Sequence, residues 1–284
     1  MDTGQIDETR HGRWDIVKKR QPFYSVLFFI CVIASCAPLI MLVILTVSTY
    51  WPFPALLPET VSMDYYSHVF AGNRQTIMAV VTSILLAFFV AFLSLVIAVP
   101  TGKSIGCYDF RGKGFVKILV LVPLIVPSVA VLTGIHVSMI RLGLTGSFFG
   151  VALIQTLFAL PYAIRIMTNV FEIIGKDLEQ QATVLGAGAV PIFLKVTLPR
   201  IMPGILSAGA LSFTVSIAQY ITTFMIGGGR IITVTMLIVP HIQSREHHIA
   251  AVYSVLLVIS ALLSLYLTEK VVRRYYNMDS TFYI

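Results

Sequence analysis

The polar residues of this chain are gathered into short stretches between long apolar runs. A helix needs roughly 20 mainly apolar residues to cross the hydrocarbon of a bilayer. Six runs meet that length, at about 24–50, 76–100, 117–140, 148–170, 204–226 and 249–268. They predict an all-α integral membrane protein with six transmembrane helices. Lys18, Lys19 and Arg20 precede the first run, as basic residues do in a signal peptide. That run is too long for one, and no small-x-small cleavage site follows it, so it reads as a retained helix. The expected organisation is an N-terminal tail over 1–22, a transmembrane domain over 23–268 and a C-terminal tail over 269–284.

The longest polar interruption on the N-terminal side of the membrane is 171–203, which contains EQQATVLGAGAVPIFLKVTLP at 179–199. Asp177 to Val184 has helical propensity, with acids near its start, where the positive end of a helix dipole favours them. Gly186 and Gly188 then interrupt it and give the turn access to positive φ. Pro191 suits the first turn of a second short helix. Ile192, Phe193, Val196 and Leu198 cover much of that helix with apolar surface. Pro199 and Pro203 are expected to end it before span five. Two short helices with a sharp bend, held at the membrane surface, would leave apolar surface in want of a partner.

Composition and charge sharpen this picture. The chain is 57 % hydrophobic and only 12 % charged, against about a quarter charged in soluble domains. Its mean hydropathy of +0.88 excludes an ordinary soluble fold. The net charge of +7 comes from residues that flank the apolar runs, so membrane topology explains it and nucleic acid is not an expected partner. With the N-terminus inside, fifteen Lys and Arg fall on inner segments and four, Arg74, Arg141, Arg230 and Arg245, on outer ones. Both termini are therefore expected in the cytoplasm. Arg165, near the inner end of span four, can snorkel to the inner surface. Trp51 fits an interfacial anchor, and the prolines of WPFPALLPE force an extended exit from span one. Cys31, Cys36 and Cys107 have no metal or redox spacing and read as reduced packing thiols.

Candidate chemistry is sparse. Thr101-Gly102-Lys103-Ser104 ends like a phosphate-binding loop, but the glycine needed five residues before Gly102 is Ile97. A basic helix end is expected there, and ATP must be bound by another chain. Ser212, Ser216, Gln219 and Thr223 follow at steps of four, three and four, which places them on one face of span five, with Tyr220 beside them. Such a stripe either lines a water-filled path or packs against another helix. His136 in span three and Gln155 in span four carry the same two readings. Pro123, Pro127 and Pro161 free backbone carbonyls and kink their spans. His241, His247 and His248 adjoin an outer loop without the spacing of a metal site, and none is expected. No acid lies within a span, so a cationic solute would rely on aromatic or amide groups or on a second subunit.

Gly186, nine residues, then Val196-Thr197-Leu198-Pro199, with Pro203-Gly204-Ile205 after them, resemble the EAA loop of binding-protein-dependent ABC transporter permeases, the type I importers. The loop also lies before the second-last span, as in that family. WPFPALLPETVSMDYY resembles the family's outer segment after its first helix, LVPLIVPSVAVLTGI its third span and FALPYAIRIM the end of its fourth. The resemblance covers most of residues 50–268. One departure stands out. Gln180 and Gln181 replace the glutamate and first alanine of the triplet, Ala182 remains, and Glu179 lies one place earlier. The carboxylate is thus absent or displaced, and the partner for the loop's charges is expected on another polypeptide.

The resemblance implies a type I importer permease fold and a mechanical role, with no covalent chemistry in this chain. Glu179, Gln180, Ala182, Gly186, Phe193, Leu198 and Pro199 would belong to the loop that docks on an ATPase. His136, Gln155, Ser212, Ser216, Gln219, Tyr220 and Thr223 would be candidates for the translocation pathway. The implied partners are two ATPase copies, a second permease subunit, identical or homologous, an extracytoplasmic solute-binding protein and the lipid bilayer. ATP and Mg would be bound by the ATPase, with no cofactor in this chain. The location implied is a bacterial or archaeal cytoplasmic membrane. The nearest resemblance is to polyamine- and thiamine-type permeases, hence a small polar organic solute. The alternative is a stand-alone secondary transporter or channel, which often shows membrane-embedded acids or inverted repeats; neither is seen in the sequence. A membrane hydrolase would need a nucleophile with a base in reach or a metal motif such as HExxH, and the sequence shows none.

Overall fold

The structure is a computed structural model and describes residues 4–51, 58–70 and 74–275. It divides into two units, Met1–Tyr65 and Tyr66–Ile284. In the first, α1 (Gly4–Val47) carries the apolar stretch Val26–Val47. The expected tail before span one is thus largely a continuation of its helix. The chain then forms β1 (Ser48–Tyr50), antiparallel to β2 (Thr60–Val61), with Ser48 opposite Val61. Most prolines of the expected extended exit fall in 52–57, outside the described residues, as does the end of the C-terminal tail, 276–284.

After α2 (Asp64–Phe70), which lies across the division, the second unit is built on α3 (Arg74–Cys107) and α6 (Phe148–Ile174). Between them come α4 (Lys113–Ile125) and α5 (Ser128–Arg141). Then follow α7 (Asp177–Val184), α8 (Ala189–Ile192) and, beyond a π turn at Phe193–Thr197, α9 (Leu198–Ile217). The unit ends with α10 (Ile221–Gly227), α11 (Val234–Gln243) and α12 (His247–Tyr275). Among the described residues five helices are long and apolar enough to cross a membrane, and six spans result if α4 and α5 count as one.

Two expected spans are broken. Span three bends by 98° between α4 and α5. Val126 is extended (φ −79°, ψ 132°), as the residue before a proline tends to be. Span five stops at Ile217 and restarts at Ile221. Its other end also differs from expectation. Pro199 and Pro203 do not end the second loop helix, which runs on through the π turn into α9. In that turn the Leu198 N–H bonds the Phe193 carbonyl, five residues back. The wider turn directly precedes Pro199, which has no N–H to place and whose ring would crowd a regular helix.

α6 is the central helix. α3 packs along one side through Gly102 and Gly106, where an added Cβ would lie 2.6 Å from the Met167 Cβ and 2.8 Å from the Thr168 carbonyl oxygen. α9 packs on it through Gly204, where a Cβ would lie 2.6 Å from Val170 Cγ2. Small residues at such contacts let membrane helices approach closely, because hydrocarbon gives no hydrophobic drive for association. The buried clusters follow from this. Leu86, Val90, Leu132, Phe158 and Ile226 fill one layer, and Ala98, Ile105, Met167, Phe171 and Ile201 another. α3 has 34 residues, about 50 Å of helix, more than the ~30 Å of hydrocarbon it must cross. Its end therefore reaches the level of the 175–197 loop.

Candidate functional site

The loop helix α7 occupies the residues expected of it, with Asp177 and Glu179 in its first turn. It ends in a Schellman motif. The Ala187 N–H bonds the Ala182 carbonyl and the Gly186 N–H bonds the Thr183 carbonyl, each at 3.0 Å. Such a cap needs a left-handed residue just past the helix, and Gly186 supplies it with φ +84°. Gly188 stays at φ −73° and begins α8 instead. The bend thus rests on one glycine, and the Ala182 carbonyl accepts the bond that closes it.

Glu179 faces back into the protein. The Lys103 ammonium donates to its two carboxylate oxygens at 2.9 and 2.7 Å. The Thr197 hydroxyl donates to the same carboxylate at 2.5 Å. The expectation that the loop's charge finds its partner on another polypeptide is therefore corrected for Glu179. Its partner is Lys103, in the GKS segment expected to be no more than a basic helix end. The physical reason is the close α3–α6 packing. Gly102 and Gly106 bring the end of α3 against α6, and Lys103 between them points to the loop that follows α6. Partial burial raises the Glu179 carboxyl, but the bonds from Lys103 and Thr197 and the lysine's charge outweigh it, so its pKa lies below the ordinary glutamate value.

This cluster joins three elements: the end of α3, the first turn of α7 and the π turn that leads into α9. A cavity of about 270 Å³ lies beside it, lined by Lys103, Glu179, Thr183, Ala187, Ile192 and Phe193. The loop tip points away. Val184 and Leu185 are each 87 % exposed, an unusual position for two aliphatic side chains beside a polar turn. Gln180 is exposed, Ala182 half-buried, and Phe193 and Pro199 exposed, while Leu198 packs at the edge of the core around Met167. Lys176, just before α7, places its ammonium 4.7 Å from the centre of the Tyr108 ring. Asp109 is paired with Lys113 at 3.0 Å, and that bond and charge hold its carboxyl below the ordinary range.

The residues expected along the pathway separate into two sets. Gln155 is fully buried on α6 and bridges the break in span five. Its amide NH₂ donates to Thr223 Oγ1 at 3.0 Å, and its carbonyl accepts from Ser216 Oγ at 2.5 Å. The Gln219 main-chain carbonyl, freed by the break, accepts from Thr223 at 3.0 Å and Thr235 at 3.4 Å. Its side-chain oxygen accepts from Thr222 at 3.0 Å. The expected single-face stripe is thus divided over two helices and a break. Backbone can leave the helix at membrane depth only where side chains satisfy it, and these do. Ser212 is buried on α9, its hydroxyl without a partner among the described residues. His136 is half-buried on α5, and Tyr220 stacks on Phe224 with ring centres 5.6 Å apart. On the other side of the membrane from the loop, His241 bonds Glu246 at 2.6 Å and stacks on Tyr253.

Sequence reasoning missed Lys103, Thr197, Thr222 and Thr235. Lys103 had a readable signal, the Gly-x-x-x-Gly of residues 102–106 at the end of an apolar run. Thr197 had none, since its role depends on the π turn.

Comparison with known proteins agrees with this architecture. The family described as "Binding-protein-dependent transport system inner membrane component" matches residues 98–275. The spermidine/putrescine transport system permease protein PotC of Haemophilus influenzae is 26 % identical over 59 % of this chain and 65 % of its own length. The sulfate transport system permease protein CysT of Salmonella typhimurium is 26 % identical over 75 % of this chain and 83 % of its own. The molybdenum transport system permease protein ModB of Mycobacterium tuberculosis is 30 % identical over 52 % and 62 %. The chain thus spans just under two thirds of the length of the first and third of these relatives. Among solved structures, a bacterial ABC transporter involved in import of the acidic polysaccharide alginate superposes with a TM-score of 0.65, at 18 % identity over 97 % of this chain and 99 % of the other. The MetNI methionine ABC transporter in an inward-facing conformation superposes with 0.59, at 18 % identity over 73 % and 99 %. At these identities the likeness is one of fold.

Proposed function

The chain belongs to the family of binding-protein-dependent transport system inner membrane components, a multi-pass ABC importer permease, and from that premise we propose how it works. It forms half of a translocation pathway, with a second permease subunit, identical or homologous, forming the other half. Two ATPase copies bind ATP and Mg beneath the 175–192 loop, and an extracytoplasmic protein delivers the solute. Both termini lie in the cytoplasm of a bacterial or archaeal cell, supported by fifteen basic residues on inner segments against four on outer ones. The favoured solute is small, polar and organic, of polyamine or thiamine type. The spermidine/putrescine relative supports that class, while the sulfate and molybdenum relatives mark the range open to the fold.

One observation carries the coupling role: α7 is tied to α3 and α9 by the Lys103–Glu179–Thr197 cluster while its tip presents Val184 and Leu185. An element held on one side by its Glu179 cluster and ending in two exposed aliphatic side chains suits an apolar groove on a partner. With Glu179 committed within the chain, docking rests on apolar contact and the Gly186 bend. Movement of the ATPases would then reach α3 and α9 together. The test is reconstitution with the ATPase and binding protein. Gly186→Asp is expected to abolish ATP-coupled uptake while membrane insertion survives. Unchanged uptake and unchanged ATPase association would overturn the docking assignment.

A further inference from the structure

We propose that a cleft between α3, α4 and α6 holds the headgroup of an anionic phospholipid from the cytoplasmic leaflet. The cleft measures about 260 Å³ and lies apart from the cavity beside Glu179. Lys117 enters it from the second turn of α4, and Asn169 and Glu172 from the last turns of α6. α4 leaves the inner surface and α6 returns to it, so these polar groups gather at one end. Deeper along the same helices the wall becomes Val120, Leu121 and Ile164. Arg165 and Thr168 stand among these apolar side chains, so the cleft sets a cation against an apolar wall, which matches the headgroup and adjoining acyl chain of a lipid better than a soluble ion.

Its charges are unbalanced. Lys117 approaches Glu172 at 3.4 Å, and these two half-exposed groups offset each other. Arg165 also lines the cleft, is exposed, and makes no hydrogen bond or ion pair among the described residues. It stands nine residues before Ile174, the end of α6, about 13 Å along the helix. A cation at that depth needs an anion or water brought to it. A guanidinium presents paired N–H donors that match a phosphate's oxygens, and the Asn169 amide adds a neutral donor beside it. Basic clefts between spans on the cytoplasmic side suit anionic headgroups for these reasons.

The site itself does not depend on orientation; the leaflet does, and it rests on the topology proposed above. Labelling of a Ser104→Cys variant from one face of sealed vesicles tests the orientation alone. The lipid is tested by reconstituting the permease–ATPase complex in vesicles of phosphatidylglycerol and phosphatidylcholine, then releasing it for native mass spectrometry. The wild type is expected to retain phosphatidylglycerol in preference to phosphatidylcholine. Arg165→Gln should lower that retention about ten-fold, the loss of one charge-assisted contact, and Arg165→Lys should restore part of it. Val120→Trp, which fills the apolar end, should also lower it, and stands in if Arg165→Gln does not fold. Equal retention of both lipids, or no change in either variant, overturns the proposal. So does displacement by inorganic phosphate, which would make this a free-anion site.

Discussion

Two hydrogen-bonded clusters hold this protein at opposite depths, and they are built from different chemistry. At the end of the spans that bears the 175–197 loop, Lys103, Glu179 and Thr197 form a charged cluster that is 20–30 % exposed at its ion pair. Toward the other end of the spans, Gln155, Ser216, Thr223 and Gln219 form a neutral one whose centre is fully buried. Water at the surface lowers the desolvation that charges incur, so an ion pair can hold a loop there. In hydrocarbon the same pair would be expensive, and amides and hydroxyls serve instead. The difference also concerns what is held. The charged cluster fixes the connection between two spans, whereas the neutral one replaces the backbone bonds lost where span five breaks.

The largest effect is expected in the neutral cluster. Gln155→Ala leaves the Ser216 hydroxyl without its acceptor, takes from Thr223 the donor it accepts from, and opens a void, together a loss of about 2–5 kcal/mol. Thermal unfolding in detergent should show it as a large drop in Tm; a variant as stable as wild type would end the claim that this network supports the break. Next in size is the charged cluster. Lys103→Ala or Glu179→Ala should leave the helices folded but reduce ATP-coupled uptake several-fold, and the double variant should be no worse than either single one. Additive losses in uptake would show that the two residues act separately.

Gly186 lets two causes be separated within the loop. An alanine there meets no atom within 4 Å of its Cβ but must still adopt φ +84°, a strain of roughly 1–2 kcal/mol. Gly186→Ala should therefore weaken uptake less than Gly186→Asp, which adds a charge at the turn proposed to dock. The pH response is smaller still. The Glu179 pKa is depressed in the folded protein, so its stabilisation is complete above the ordinary value of 4.5 and is lost as pH falls below that through the folded value. Spin-label distances between α3 and α7 should stay constant from neutral pH to that point and widen below it, and Glu179→Gln should remove the transition. The smallest effect belongs to Asp109→Asn. Asp109 is fully exposed, and neither Tm nor uptake should change measurably.

The neutral cluster and the charged one were not equally legible in the sequence. α7 was readable to its residue limits, because acids at its start and a glycine past its end are local signals. Gln155, Ser216 and Thr223 could be marked as polar residues in apolar spans, but not joined, because Gln155 lies 61 residues from Ser216 and 68 from Thr223. Glu179 could be named as the displaced carboxylate, yet its direction could not. That depends on which residue α3 brings to the loop, a matter of how closely Gly102 and Gly106 let two helices approach.

What the chain determined by itself was its class, its spans to within several residues, its loop and the glycine of the bend. Each follows from the transfer of apolar residues into hydrocarbon or from the conformational range of one residue, and both act locally. The tertiary structure alone decided that the prolines after the loop continue a helix, that spans three and five are broken, and that Glu179 pairs with Lys103. These depend on groups far apart in sequence satisfying one another where water does not, and that condition is met only once the helices are packed.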